Sequence, residues 1–243
     1  MIIILMNLII DIGNTTTKVA IFDGEELIKH QILKQPSLSA IVLFGKEHNI
    51  SNSIISSVKQ KDSICNELIT HFNALFLTHK TEIPISINYN TPETLGKDRL
   101  AGIVGANKEY PNKNILVIDA GSCITFDFFM DSTYCGGRIS PGLQMRYDAL
   151  HTFTNQLPQI SISDTHFTLG KDTNSSIISG VQQGAIDEMD AVIDIFRKEN
   201  KDSVVILCGG DYNFFDKHLK NSIFAYPFIV LKGLNIILEF NAK

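Results

Sequence analysis

The sequence predicts an α/β protein of two domains, residues 1–112 and 113–243, and three observations carry that expectation. One plan occurs twice: an apolar strand, an Asp-x-Gly-polar turn, a second strand, a tight turn and a third strand. Asp11 and Asp119 hold matching positions in the two copies. A two-copy repeat of this kind points to a duplicated domain, since a solenoid needs more copies. Each copy is followed by segments whose apolar residues recur at helical spacing. Finally, 243 residues with 44% hydrophobic and 19% charged side chains can fill two cores of roughly 100–130 residues each. A disordered chain would be less apolar.

The first copy opens with Leu8-Ile9-Ile10 as a buried strand, turns at Gly13-Asn14-Thr15 and continues as Lys18–Phe22. Asp23-Gly24 is a strong hairpin signal, returning the chain as Leu27–Leu33. Pro36 and Ser37 open a helical pattern through Leu38, Ile41, Val42 and Phe44. Ser53–Val58 reads as a strand, Asp62 caps a helix through Ile64, Leu68, Ile69 and Phe72, and Ala74–Leu77 is a short strand. Lys80–Gly96 has no sustained period and reads as loop, ahead of a helix from about Leu100. The second copy runs through the strands Ile115–Ile118, Cys123–Met130 and Thr133–Ile139, with turns at Asp119–Ser122 and Asp131-Ser132. A helix near Leu143–Phe153, a polar loop over 156–171 and a long helix through Ile177, Val181, Ala185, Met189 and Val192 follow. Gly180, Gly184 and Ala185 suggest that this helix packs closely against another, with a subunit contact as a further use. Val204–Leu207 is a strand, and 228–240 reads as a strand end and helix.

Composition removes several classes of function. A formal charge of −5 gives no basic excess to neutralise nucleic-acid phosphates. The apolar opening Met1–Ile10 stops at Asp11, half of what a membrane span needs, and has neither the basic flank nor the cleavage site of a signal peptide. Met6 is an alternative start. Four cysteines without a CxxC pair fit reduced thiols in a cytoplasm rather than zinc or a disulfide framework. The seven histidines show no metal-ligand spacing. Tyr212, Phe214 and Phe215 read as packing rather than a platform for a base.

Several motifs carry chemistry. In Asp11-Ile12-Gly13-Asn14-Thr15-Thr16-Thr17-Lys18, Gly13 permits close backbone approach. Turn amides with Asn14 and Thr15 can cradle phosphate oxygens, and Lys18 supplies positive charge. Asp11 at the strand end can hold Mg²⁺ directly or through water. Asp119-x-Gly121-Ser122 asks for the same chemistry, a carboxylate near a cation beside a hydroxyl-and-amide turn. Leu207-Cys208-Gly209-Gly210-Asp211 ends a strand on bare backbone against which a flat base or ribose can lie. In Gly96-Lys97-Asp98-Arg99, Asp98 can cap the helix or accept a proton from a substrate hydroxyl, and Arg99 can hold a carboxylate or phosphate. Gly136–Gly142 reads as a shaped loop against a ligand or a structural corner. Thr173, near a helix start after Gly170, can meet an anion or serve as a cap. Each of these motifs also has an ordinary structural use as a turn, cap or corner.

Taken in order, the three glycine turns resemble the phosphate-1, phosphate-2 and adenosine motifs of the actin-like ATPase superfamily. With Tyr89, Pro92, Gly96–Arg99, Gly136–Gly142 and Gly170–Gly180, the chain from Asn7 to Leu234 resembles type III pantothenate kinases. That resemblance implies two ribonuclease-H-like domains with ATP in the cleft between them, phosphorylation of pantothenate at the first step of coenzyme A biosynthesis, and a homodimer. It implies Asp11–Lys18 and Ser122 on ATP, and Tyr89, Gly96, Lys97, Asp98, Arg99 and Thr173 on pantothenate, with Asp98 as proton acceptor. Asp119 would hold a monovalent cation, K⁺ or NH₄⁺, while Mg²⁺ travels with the phosphates near Asp11. Ser122 stands where the family usually has Thr, which keeps the hydroxyl, and Cys135 precedes Gly136 where Thr is common. Two other readings stay open: a non-catalytic accessory factor in transcriptional regulation on the same fold, and another small sugar or acid kinase.

Overall fold

The computed structural model describes residues 5–58, 62–163 and 165–242; the expected N-terminal appendage lies largely outside them. The chain divides into two compact units, 1–111 with 132–134 and 228–243, and 112–131 with 135–227.

The first unit is built on a five-stranded sheet, β1 (Met6–Ile12), β2 (Thr17–Asp23), β3 (Glu26–Leu33), β4 (Ile50–Ser57) and β5 (Leu75–Phe76), in the order β3-β2-β1-β4-β5. The first three strands form an antiparallel meander, and β4 and β5 add in parallel. Strand side chains alternate between faces. Leu8, Ile10, Ile12, Val19, Ile21 and Ile55 all point to one face. There they pack with α1 (Leu38–Gly45) and α2 (Ser63–Phe72). Ser37 accepts a hydrogen bond from Ala40 N–H and Asp62 one from Cys65 N–H, so each helix begins where its cap directs.

The other face is covered by α3 (Lys97–Glu109) and α8 (Ile229–Asn241), which contact β4 and each other. Residues 228–243, which sequence order places in the second half, thus pack in the first unit. No strand precedes α8 at 228; the segment is helix alone. Its Asn235 is fully buried and ties three elements together. It accepts from Asn7 Nδ2 at 2.9 Å and donates to the Gly24 carbonyl at 2.8 Å. The stretch 80–96 holds more order than its aperiodic sequence suggests: β6 (Ser86–Ile87) pairs with Thr133 and Tyr134, and Pro92–Thr94 forms a 3₁₀ turn.

The second unit repeats the plan strand for strand. β7 (Ile115–Ala120) pairs antiparallel with β8 (Cys123–Met130), β9 (Thr133–Pro141) lies beside β8, and β10 (Val204–Cys208) and β11 (Phe224–Ala225) add in parallel. Its core gathers Leu116, Ile118, Phe126, Tyr147, Met189 and Phe215 with the helices α4 (Leu143–Thr152), α6 (Gly184–Glu199) and α7 (Tyr212–His218). The long helix runs from α5 (Thr173–Ile178) through a π-helical turn, Ser179–Gln183, into α6. A Cβ added to Gly180 or Gly184 would meet nothing within 4 Å, so neither glycine serves close packing within the chain; Ala185 is buried in the core. Of the two readings of Gly136–Gly142, the structure gives the corner: the strand β9 continues to Pro141, two residues beyond its expected end, and Gly142 caps α4.

Candidate functional site

In the first unit the Asp11–Lys18 segment is the β1–β2 turn. Asp11 pairs with Lys18 and Ile12 with Thr17 across the hairpin, and Gly13 N–H donates to the Thr16 carbonyl at 3.0 Å. This closes a short turn that leaves Asn14 and Thr15 exposed. A Cβ on Gly13 would stand 3.0 Å from that same carbonyl, so a side chain there would crowd the turn. The side chains of Ile12 and Thr17 are buried, so what they offer a ligand is main chain. On β4, Ser56 lies in register with Asp11, making a row Lys18, Asp11, Ser56 across three strands.

Asp98 and Arg99 occupy the first turn of α3, not the position before it. Gly96 is the cap residue, and Asp98 Oδ1 accepts from Arg99 N–H at 2.8 Å. A carboxylate there is favoured by the helix dipole. The far end of α3 is anchored by Lys108, 2.7 Å from Glu25 in the β2–β3 turn. That turn is at the Asn7 end of the sheet, so the first turn of α3 lies toward the end that carries Asp11 and Lys18. Lys97 folds back to donate to the Leu95 carbonyl at 2.7 Å. Burial pulls its ammonium pKa down, and Asp98 and Glu93 oppose the shift. Tyr89 leans on buried Tyr134, with ring centroids 6.0 Å apart.

The second unit brings three of its segments together. Asp119 ends β7, in register with Thr125 on β8 and Cys208 on β10. Gly121 N–H donates to the Cys123 carbonyl at 2.9 Å, closing a turn that leaves Ser122 exposed. Gly142 N–H reaches the Ser122 carbonyl at 3.2 Å, and a Cβ at Gly142 would collide with the Gly121 carbonyl. Gly209, at φ +96°, leaves room for Asp119 Oδ1, which would stand 2.5 Å from any Cβ there. Asp211 N–H then donates to the Ala120 carbonyl at 2.9 Å. Burial raises the Asp211 carboxyl pKa. The Gly-Gly-Asp strand end was visible in the sequence, but nothing there marked Asp211 as partly desolvated.

Thr173 belongs to a different element. It is the first residue of α5 and is exposed, with Asp172 as cap and a reciprocal hydrogen-bond pair between Asp172 and Ser175. Gly170 is held against the backbone of Ser175 and Ser176, where a side chain would collide.

The donor chemistry suits hard cations. Asp11 offers one carboxylate beside the Gly13–Thr16 turn, as suits Mg²⁺ that keeps waters and shares its ligands with phosphates. Asp119 Oδ1 and the Ala120 carbonyl both lie close to Gly209, and oxygens of this kind could serve a cation. Among the described residues no three His, Cys, Asp or Glu side chains cluster as a metal cage. No helix among them is long and apolar enough to cross a membrane, and the four cysteines are thiols.

Several solved structures share the fold. A structure described as a Baf family transcriptional activator from Campylobacter jejuni aligns with a TM-score of 0.59 at 22% identity, covering 96% of this chain and 98% of that one. A glucokinase from an Antarctic psychrotroph gives 0.55 at 11% identity over 97% and 99%. Component A of the (R)-2-hydroxyglutaryl-CoA dehydratase of Acidaminococcus fermentans gives 0.53 at 13% over 97% of both chains. These likenesses place the protein in the two-domain actin-like fold. Sequence relatives are nearer. A type III pantothenate kinase of Phocaeicola vulgatus is 42% identical over 241 residues, covering 98% of this chain and all of the relative. One of Christiangramia forsetii is 42% identical over 240 residues, covering 97% of this chain and 99% of the relative. The family model described as type III pantothenate kinase matches residues 7–195. With near-complete coverage at this identity, the chain belongs to the type III pantothenate kinase family.

Proposed function

We propose that the protein transfers the γ-phosphoryl group of ATP to the primary hydroxyl of pantothenate, giving 4'-phosphopantothenate at the first step of coenzyme A biosynthesis in the cytoplasm. The observation that carries this is the placement of Asp98. It sits on the first turn of a helix whose anchoring directs it toward the end of the sheet bearing Asp11, the Gly13 turn and Lys18.

Asp98 accepts the proton of the hydroxyl as its oxygen forms a bond to the γ-phosphorus. The bond from phosphorus to the bridging oxygen breaks, and ADP leaves. Lys18 and the amides of the Gly13–Thr16 turn hold phosphate oxygens, with Asn14 and Thr15 able to add side-chain contacts and Ser122 a further hydroxyl. Arg99 meets the carboxylate of pantothenate, while Tyr89, Gly96, Lys97 and Thr173 contribute contacts to the rest of that substrate. Asp11 would hold Mg²⁺ directly or through water, and Asp119 a monovalent cation, K⁺ or NH₄⁺; bound there, they offset charge on the phosphates. Such catalysis consists mainly of positioning and electrostatics. A homodimer fits the large apolar side chains left exposed on and after β9 and α4: Ile139, Met145 and Phe153. Light scattering on the purified protein tests it.

The transcriptional reading is not favoured, since Lys18, Asp98 and Arg99, the residues an idle relative could lose, are all present; the sugar-kinase reading is not favoured because of the Gly96-Lys97-Asp98-Arg99 segment and the family match. An ATP-consumption assay with pantothenate against a panel of sugars, with and without K⁺, decides the matter. Turnover on pantothenate alone is expected, and absence of turnover by folded protein with Mg²⁺ rejects the proposal. Asp98→Asn keeps shape and removes the base, and should lower kcat by about 10²–10⁴-fold.

A further inference from the structure

Ser56 has no part in the reading above, yet the sheet puts it beside Asp11. Residues at matched positions of neighbouring strands point to the same face, and the strands lie about 4.8 Å apart. The side chains of Asn7 and Asn52 meet at 3.3 Å, and Asn7 bonds Asn235 of α8, so this parity faces α3 and α8. Ser53, of opposite parity, instead donates to the Phe72 carbonyl of α2. Counting by twos from Asn7 and Asn52 gives Asp11 and Ser56. Both therefore sit on the α3–α8 face at the same strand ends, with Lys18 on the other side of Asp11.

Ser56 is completely buried, and its hydroxyl has no hydrogen-bond partner among the described residues. A buried hydroxyl left unbonded is unfavourable, and alanine would occupy the position without that cost. The matching row of the second unit is Thr125, Asp119, Cys208, so the fold accepts a thiol where the first unit carries the hydroxyl. Fold maintenance therefore does not account for an oxygen at position 56.

We propose that Ser56 is a positioning residue for Asp11: with Mg²⁺ and ATP bound, its hydroxyl donates to the Asp11 carboxylate and fixes the oxygen turned toward the metal. The inference rests on the reading that Asp11 serves the metal–nucleotide pair. It does not depend on the acceptor being pantothenate.

The test compares wild type, Ser56→Ala and Ser56→Cys by thermal melting, by calorimetric titration of a non-hydrolysable ATP analogue at varied Mg²⁺, and by steady-state kinetics. Ser56→Ala should melt no lower than wild type. It should need about 10-fold more Mg²⁺ for half-maximal nucleotide binding, the scale of losing a group that orients a metal ligand. Its kcat should fall while KM for pantothenate holds, and Ser56→Cys, a weaker donor of similar size, should lie between. Unchanged Mg²⁺ dependence in both variants overturns the proposal, as does a lowered melting temperature whose unfolded fraction accounts for the loss. Because the titration needs no acceptor, a wild type that binds Mg²⁺ and nucleotide with Ser56 dependence but ignores pantothenate would overturn the functional reading and leave this one standing. A wild type that does not bind the analogue with Mg²⁺ overturns both.

Discussion

Tyr147 shows how a single buried polar side chain sets a pH limit on the second unit. It is 1% exposed, its hydroxyl donates to Gln182 Oε1 at 3.1 Å, and Gln182, fully buried in the π-helical turn, donates to the Ser163 carbonyl at 2.7 Å. Burial pushes the phenol from the ordinary 10 up to about 12. The unfolded chain therefore loses the proton first as pH rises. The stability this contributes is complete below pH 10 and is lost through the window from 10 to 12, a change on the order of 2–3 kcal/mol. Urea unfolding followed across that window should show the decline, and Tyr147→Phe should flatten it. At neutral pH the same variant should cost about 1–2 kcal/mol, because Gln182 Oε1 is left without its donor. A decline of equal size in both proteins would show that other groups cause it. At this scale legibility differs between residues. Asp98 and Lys18 stand out in the sequence as charged residues close to a glycine turn or helix start, although such positions also serve as caps and turns. Ser56 gave no signal, since a serine within an apolar strand reads as filler until the register sets it beside Asp11.

The α3–α8 pair is the element-scale device that holds Asp98 in place. A Cβ on Gly233 would fall on the Ala101 carbonyl, and one on Gly105 on the Ile229 carbonyl, both backbone atoms that cannot swing aside. Glu109 pairs with Lys232 at the end of the same contact. Gly233→Ala should therefore destabilise by about 3 kcal/mol or more, at or beyond the upper range of overpacked cores, and should lower kcat even at temperatures where the protein remains folded. Gly180→Ala is the control: the added methyl meets nothing, and removing a helical glycine should gain about 0.5–1 kcal/mol. Melting both variants checks this; equal effects would show that glycine content, not helix contact, governs the outcome. The hairpins of both units could be read ahead of the structure because Gly13, Asp23-Gly24 and Asp131-Ser132 are local turn chemistry. The α3–α8 contact could not. An apolar stripe says that a helix is buried, but not which distant helix it meets, and Gly180 and Gly184 mark no such contact within the chain.

For the whole molecule, the consequential fact is that the chain returns to its first unit at the end. The family match stops at residue 195, yet 228–243 complete the fold that carries Asp11 and Asp98. Six apolar side chains of α8, Ile229, Val230, Leu231, Leu234, Ile237 and Leu238, are buried. Their loss would forfeit on the order of 10 kcal/mol, comparable with the roughly 5–15 kcal/mol that holds an entire domain folded. Asn7 would also lose its partner Asn235. Among the described residues, the core of the second unit draws none from 228–242. A stop codon after Pro227 should therefore unfold one unit and spare the other. Hydrogen exchange should become fast through β1, β2 and β4 and stay slow through β7, β8 and β10, with phosphoryl transfer abolished. Protection lost throughout the chain would show that the second unit cannot stand without the first. Protection kept throughout would show that α3 alone closes the face of the first sheet, and that α8 is dispensable to the unit it packs on.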